Sequence, residues 1–176
     1  LVSAVLGYPV IFDHYRYVDA FMDFVKIHPF DASCDTLKAI AKDNGLNIDL
    51  GEDHQGWLDL LFSHLVEPNL GKALPTLIYD YPVATAALAK TVTDKDGNRV
   101  ARRFELYING LEIANAYDEL ADGQALRLRF DEDNVARKKR GLPVMPIDEN
   151  LLAACDALPA CSGIALGIDR DRKSVV

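Results

Sequence analysis

Residues 103–120 read RFELYINGLEIANAYDEL, and this stretch decides the fold of the chain. Two runs rich in apolar and aromatic residues, 100–108 and 111–117, flank the dipeptide Asn109-Gly110. Asn-Gly between two such runs is the strongest short-range signal for a β-hairpin, because both residues tolerate the backbone angles of a tight two-residue turn. The sequence therefore predicts a pair of antiparallel strands.

Two glutamates of this hairpin are candidate metal ligands. A two-residue turn places Tyr107 opposite Glu112 and Glu105 opposite Ala114, so that both glutamates share one face as diagonal neighbours. Their oxygens suit Mg²⁺ or Mn²⁺, which use one or two protein carboxylates together with substrate phosphates. We therefore hypothesise an ATP site. The alternative is a solvated strand face on which the glutamates pair with basic neighbours such as Arg103.

A cluster of amide, aromatic and carboxylate groups ends the second run, at Asn115, Tyr117 and Glu119. Such groups could hold the amines of a cationic substrate. A regular strand would place Asn115 and Tyr117 on the face opposite Glu112. A pocket shared by all of them therefore requires the strand to bulge or twist near Ala114.

The remaining pattern predicts helices packed on a sheet. Helical spacing, caps and proline or glycine stops predict helices over 17–25, 33–44, 56–66, 118–140 and 148–157. Short apolar runs predict strands over 75–82 and 162–169. Asp118 is the candidate N-cap of the helix that follows the hairpin. These elements predict an α+β domain, with a helical layer at about 17–70 and a sheet at about 71–176.

Composition narrows the functional class. A formal net charge of -8 argues against a module that binds nucleic acid mainly by neutralising phosphates. The three cysteines lack the paired spacing of zinc or redox motifs, and no apolar run is long enough to cross a bilayer. We therefore expect a cytoplasmic protein. The chain begins without methionine on an apolar stretch, which favours a piece of a longer protein.

Three ordered motifs resemble the lysyl-type class II aminoacyl-tRNA synthetases. Residues 103–120 are similar to the signature strands of that family, and residues 162–170, SGIALGIDR, are similar to its third conserved motif. Residues 80–83, DYPV, resemble the edge of its substrate pocket. The segments 66–69, 142–148 and 161–163 are closest to the paralogues that attach lysine or β-lysine to elongation factor P.

The resemblance implies a role for each matching position. Glu105, Glu112 and Gly167 would serve ATP, the two glutamates also holding Mg²⁺, and Arg170 would contact the ATP phosphates as a catalytic group. The lysine-like substrate would be bound by Asn115, Tyr117, Glu119 and Ala165. Ala165 stands where true lysyl-tRNA synthetases usually carry glycine, which favours the paralogues. The implied fold is part of the antiparallel class II sheet, with elongation factor P as acceptor. Apolar surface exposed where the other strands of that sheet would lie would favour a homodimer.

Parts of the family pattern have no counterpart in this chain. The second motif, whose arginine and glutamate clamp the α-phosphate, and the first motif at the dimer interface are both missing. We therefore predict that the chain alone does not activate lysine. Two alternatives stay open: a fragment of a true lysyl-tRNA synthetase acting on tRNA, and a non-catalytic paralogue that acts as a binding module.

Overall fold

The computed structural model describes residue 3 and residues 9–167, which form an α+β fold as predicted. Its strands are β1 (Asp13–Arg16), β2 (Thr76–Pro82), β3 (Thr91–Thr93), β4 (Arg99–Ile108), β5 (Leu111–Asp118) and β6 (Ser162–Leu166). Its helices are α1 (Tyr17–Phe24), α2 (Cys34–Asp43), α3 (His54–Leu61), α4 (Gly123–Lys139) and α5 (Glu149–Asp156). A π-helical turn, Phe62–Val66, and two 3₁₀ turns, Glu67–Asn69 and Val83–Thr85, complete these elements.

The strands form one six-stranded sheet in the order β1-β2-β4-β5-β6, with β3 paired to the first residues of β4. All pairs are antiparallel except β1 with β2. The predicted hairpin is confirmed, because β4 and β5 are joined at Asn109 and Gly110, both at positive φ. Positive φ at both positions is the geometry of the type I′ turn.

The helical layer packs on one face of the sheet. Ser33 and Asp53 cap α2 and α3 through their side-chain oxygens, which fixes where each helix begins. Trp57 of α3 is fully buried and donates from its ring nitrogen to the carbonyl of Gly51. The shared core joins the helices to β2 and β4, and its aromatic members are Tyr17, Phe21, Trp57, Phe62, Tyr81 and Tyr107.

Two smaller apolar clusters stabilise the rest of the chain. The opposite face of the sheet carries Leu106, Ile108, Ile113 and Ala114. The helices α4 and α5 meet through a third cluster, which consists of Leu126, Leu152 and Cys155. No helix in the described ranges is both long and apolar enough to span a membrane.

Two expectations from sequence need correction. The helix after the hairpin begins at Gly123 with Asp122 as its N-cap, so the N-cap role predicted for Asp118 is wrong. Asp118 instead ends β5, where it pairs with Ser162 of β6 and forms an ion pair with Lys90. The strands β1 and β3 were not predicted at all. In both cases the pairing of a segment with a neighbouring strand determines its structure, and the local sequence preference does not.

Candidate active site

A bulge in the hairpin gathers the candidate residues on one face. Tyr107 pairs with Glu112 and Leu106 pairs with Ala114, so Ile113 is an extra residue on β5. This confirms the bulge predicted near Ala114. Because one residue is inserted, Glu112 lies on the same face as Asn115 and Tyr117.

The same bulge corrects the predicted partner of Glu105. Glu105 lies opposite Asn115 and not opposite Ala114, because the register shifts between Leu106 and Tyr107. In turn Asn115 pairs with Ala165 of β6. Glu105, Asn115 and Ala165 therefore form a row across three neighbouring strands, with their side chains on the same face.

Further predicted residues border this row at the ends of β5 and β6. Tyr117 pairs with Gly163, and the Glu119 carboxylate lies so close to Gly163 that a Cβ atom there would clash with it. Gly167 donates its backbone N–H to the carbonyl of Ile113 at 2.9 Å. Glycine at position 163 thus leaves the space that Glu119 occupies. Arg170, the predicted phosphate ligand, lies outside the described residues.

Glu105 is buried and hydrogen-bonded on both oxygens. Its Oε2 accepts from the hydroxyls of Tyr81, at 2.5 Å, and Tyr107, at 2.6 Å. Its Oε1 accepts from the guanidinium of Arg103. Burial, together with the charge of Glu105, holds the pKa of both tyrosines above the ordinary range, so both hydroxyls stay protonated donors.

Arg103 connects most of the predicted site residues. Its Nε donates to Asn115 Oδ1 at 3.1 Å, and Nη1 donates to the Thr85 carbonyl at 2.9 Å. The guanidinium carbon also lies 4.9 Å from the ring centroid of Tyr81 and 5.7 Å from that of Tyr117. Glu105 therefore pairs with Arg103, as the alternative drawn from sequence has it, but it does so in a buried position and not on a solvated strand face.

Sequence reasoning missed several residues of the site. A cavity of about 260 Å³ next to Glu105 is lined by residues from separate segments: Tyr17, Asp59, Phe62, Glu67, Tyr81, Thr85 and Arg103. Of these, only Tyr81 falls in a segment, residues 80–83, that resembles the pocket edge of the family. The spacing of Arg103 and Glu105, two residues apart on one strand, could have placed the arginine on the site face. Nothing local in the sequence indicates Glu67, whose Oε1 accepts from Tyr107 at 3.2 Å.

Three carboxylates influence one another at this edge of the site. Burial raises the pKa of Glu67, the hydrogen bond from Tyr107 lowers it, and the charges of Glu105 and Glu112 raise it further. A third acidic side chain therefore lies in reach of the two predicted metal ligands. Among the described residues, no three His, Cys, Asp or Glu side chains are already arranged as a metal cage.

We expect Glu67→Gln to stabilise the protein at pH 7 and to have no effect near pH 4. A carboxyl with a raised folded-state pKa contributes stability below its unfolded pKa of about 4.3, and that contribution is lost as pH rises through the folded value. Glutamine keeps the acceptor for Tyr107 and removes the charge. Because Glu67 is only half-buried, the gain should stay below about 1 kcal/mol.

Urea unfolding at pH 4 and pH 7 measures this difference, with the exposed Glu52→Gln as a control for removing one negative charge from an acidic chain. A gain that is equal at both pH values, or equal in the two variants, would contradict the assigned role of Glu67.

Comparison with known proteins identifies relatives of the chain. Residues 13–175 match the family described as tRNA synthetases class II (D, K and N). The elongation factor P–(R)-β-lysine ligases of Klebsiella pneumoniae subsp. pneumoniae and of a second Klebsiella pneumoniae strain are each 47% identical over 157 residues. These matches cover 88% of this chain and 48% of each ligase. The chain thus spans about half the length of the curated relatives it matches.

Proposed function

Because this chain belongs to the class II tRNA synthetase family of the aspartate, lysine and asparagine type, we propose that its polar sheet face is part of an ATP-dependent ligase site. The ligase activates lysine or (R)-β-lysine and transfers it to elongation factor P in the cytoplasm. The family inferred from the three motifs is confirmed by the match over residues 13–175. The row of Glu105, Asn115 and Ala165, aligned by the bulge, is the observation that carries the proposal.

The face offers different groups to the two ends of a lysine-like substrate. Glu119 supplies a carboxylate beside Gly163, where a substrate ammonium can donate hydrogen bonds. On the same face, Tyr117 lies two residues from Glu119, beside Gly163, and Asn115 lies four residues from it, beside Ala165. The methyl group of Ala165 takes up space beside Asn115, in the floor of the proposed substrate pocket. Because true lysyl-tRNA synthetases usually carry glycine there, Ala165 favours assignment of the chain to the elongation factor P ligases.

The acidic edge of the face fits one Mg²⁺ ion. Glu105 Oε1 has a lone pair left beside its bond from Arg103, and Glu112 lies diagonally across the hairpin. Mutual repulsion among Glu67, Glu105 and Glu112 favours a bound cation there. When bound, Mg²⁺ would neutralise the ATP phosphates. We propose Glu105 and Glu112 as its protein ligands, with Gly167 allowing close approach of ATP to β6.

The proposed reaction has two steps. The substrate carboxylate attacks the α-phosphorus of ATP, forming an acyl–phosphate bond as the bond to pyrophosphate breaks. An amine of elongation factor P then attacks the acyl carbon and AMP leaves. Such chemistry depends on positioning and on neutralising phosphate charge, and needs no side-chain nucleophile. The phosphate contact expected of Arg170 belongs to this proposal.

The alternatives explain less. A tRNA acceptor is disfavoured by the net charge of -8 and by the names of the relatives, and a purely binding role is disfavoured because those relatives are ligases. A homodimer would use the apolar face opposite the site, where Leu111 and Ile164 are exposed.

ATP–pyrophosphate exchange tests the function. The longest natural protein that contains this chain should exchange pyrophosphate in the presence of lysine or (R)-β-lysine, and should then label elongation factor P and not tRNA. We expect no exchange from the 176-residue chain alone, because it lacks the second family motif. Labelling of tRNA, or exchange that depends on neither amino acid, would overturn the proposal.

A further inference from the structure

Every donor nitrogen of Arg103 has a defined partner within the site. Nε bonds to Asn115, Nη1 to the carbonyl of Thr85 and Nη2 to Glu105. The side chain is 16% exposed and lies against the ring of Tyr81. The guanidinium is planar and rigid, so three partners in three directions fix its orientation. Arg103 is therefore held in place before any ligand arrives.

This arrangement determines how the Asn115 amide is turned. A guanidinium can only donate hydrogen bonds, so the Asn115 atom that faces Arg103 must be the acceptor Oδ1. The two hydrogens of Nδ2 are then the groups left for a ligand. Asn115 would otherwise be able to present either its oxygen or its nitrogen, because the two ends of the amide have the same shape. Arg103 thus orients the Asn115 amide so that its donor group, Nδ2, is left for a ligand.

We infer that Arg103 is a positioning residue that makes Asn115 a donor to the carboxylate of the amino-acid substrate. The inference rests on the proposed function and adds to it the direction in which the substrate lies in the site. Asn115 then recognises the carboxylate end of lysine or β-lysine, and Glu119 is left to recognise an ammonium group. This assignment differs from the expectation that Asn115 holds a substrate amine.

A pair of ligands that differ only in the carboxylate separates positioning from general support of the pocket. Lysine has the carboxylate, and 1,5-diaminopentane is the same molecule without it. In the longest natural protein that contains this chain, Arg103→Gln should weaken lysine binding by about 10- to 100-fold, the worth of one hydrogen bond to a charged group. Binding of 1,5-diaminopentane should stay within about twofold of wild type.

Calorimetric titration of each protein with lysine and with 1,5-diaminopentane measures these affinities. Three further variants complete the experiment. Arg102→Gln is the matched control, because Arg102 is the preceding strand residue and its side chain is 53% exposed. It should change neither affinity. Arg103→Lys keeps the charge but loses the rigid fork, so its lysine affinity should lie between wild type and Arg103→Gln. Asn115→Asp keeps a partner for Arg103 and removes the donor, so it should weaken lysine binding even if Arg103→Gln fails to fold.

The outcomes distinguish this inference from the proposed function. An equal loss for lysine and 1,5-diaminopentane in Arg103→Gln, or wild-type lysine affinity in Asn115→Asp, would overturn the role of Arg103 alone. A wild-type protein that binds neither lysine nor β-lysine would overturn the proposed function and this inference with it.

Discussion

Glu105→Ala is expected to lower the free energy of unfolding by about 3–5 kcal/mol, the usual cost of removing one partner from a buried ion pair. The glutamate is 6% exposed and is bonded to Arg103, Tyr81 and Tyr107. Alanine would leave the arginine charge and two buried hydroxyls without this acceptor. In the longest natural protein that contains this chain, the same substitution should abolish lysine-dependent exchange, because it removes a proposed Mg²⁺ ligand and one of the three partners that orient Arg103.

Urea unfolding followed by fluorescence measures the stability loss, since Trp57 is the single tryptophan and is fully buried. Glu119→Ala is the matched control, because it removes a carboxylate from the same face that is only half-buried. It should cost less than about 1 kcal/mol. Equal losses in the two variants would show that the network around Glu105 contributes little to stability.

The hairpin could be predicted from sequence because its determinants are local. Asn109-Gly110 fixes the turn, and the turn fixes the pairing of Tyr107 with Glu112. The need for a bulge also followed, since Glu112 and Asn115 could share a face in no other way. Its exact position did not follow, because a strand sequence does not indicate which residue the partner strand leaves unpaired. The partner of Glu105 was wrong for this reason.

The environment of the site could not be predicted because it is built from distant segments. Glu67 reaches Tyr107 from the 3₁₀ turn at the end of the helical layer. Tyr81 reaches Glu105 from β2, and the resemblance placed it at the pocket edge without indicating this contact. Such contacts depend on how the layer packs on the sheet. The strand β1 was missed for a related reason: it is only four residues long and exists by pairing with β2. The roles assigned by resemblance remain predictions.

Gly71→Ala is expected to destabilise the protein by about 2–5 kcal/mol. Gly71 has a φ of +68°, and a Cβ atom there would lie 2.5 Å from the carbonyl oxygen of Tyr107 and 2.7 Å from the Cα of Ile108. Two costs add: the left-handed conformation of a non-glycine residue, about 1–2 kcal/mol, and overpacking against backbone, about 1–3 kcal/mol. Backbone atoms cannot turn aside as a flexible side chain can.

The effect of Gly71→Ala should extend to the site. The carbonyls of Gly71 and Leu70 accept the backbone N–H groups of Asn109 and Gly110, both at 2.8 Å, so this segment supports the hairpin turn. Displacing this segment would shift the Asn109-Gly110 turn, and with it the nearby proposed metal ligand Glu112. Weakened ligand binding should therefore accompany the loss of stability.

Gly45→Ala separates the two costs. Gly45 has a similar φ of +76°, but an added Cβ would meet no atom within 4 Å. It should therefore cost only the conformational part, about 1–2 kcal/mol, and leave ligand binding unchanged. Urea unfolding of both variants gives the difference between their losses of unfolding free energy. That difference is the cost of placing a Cβ atom where Gly71 approaches β4. Equal losses in the two variants would contradict this prediction. They would show that the segment around Gly71 can move without cost and that the Asn109-Gly110 turn does not depend on it.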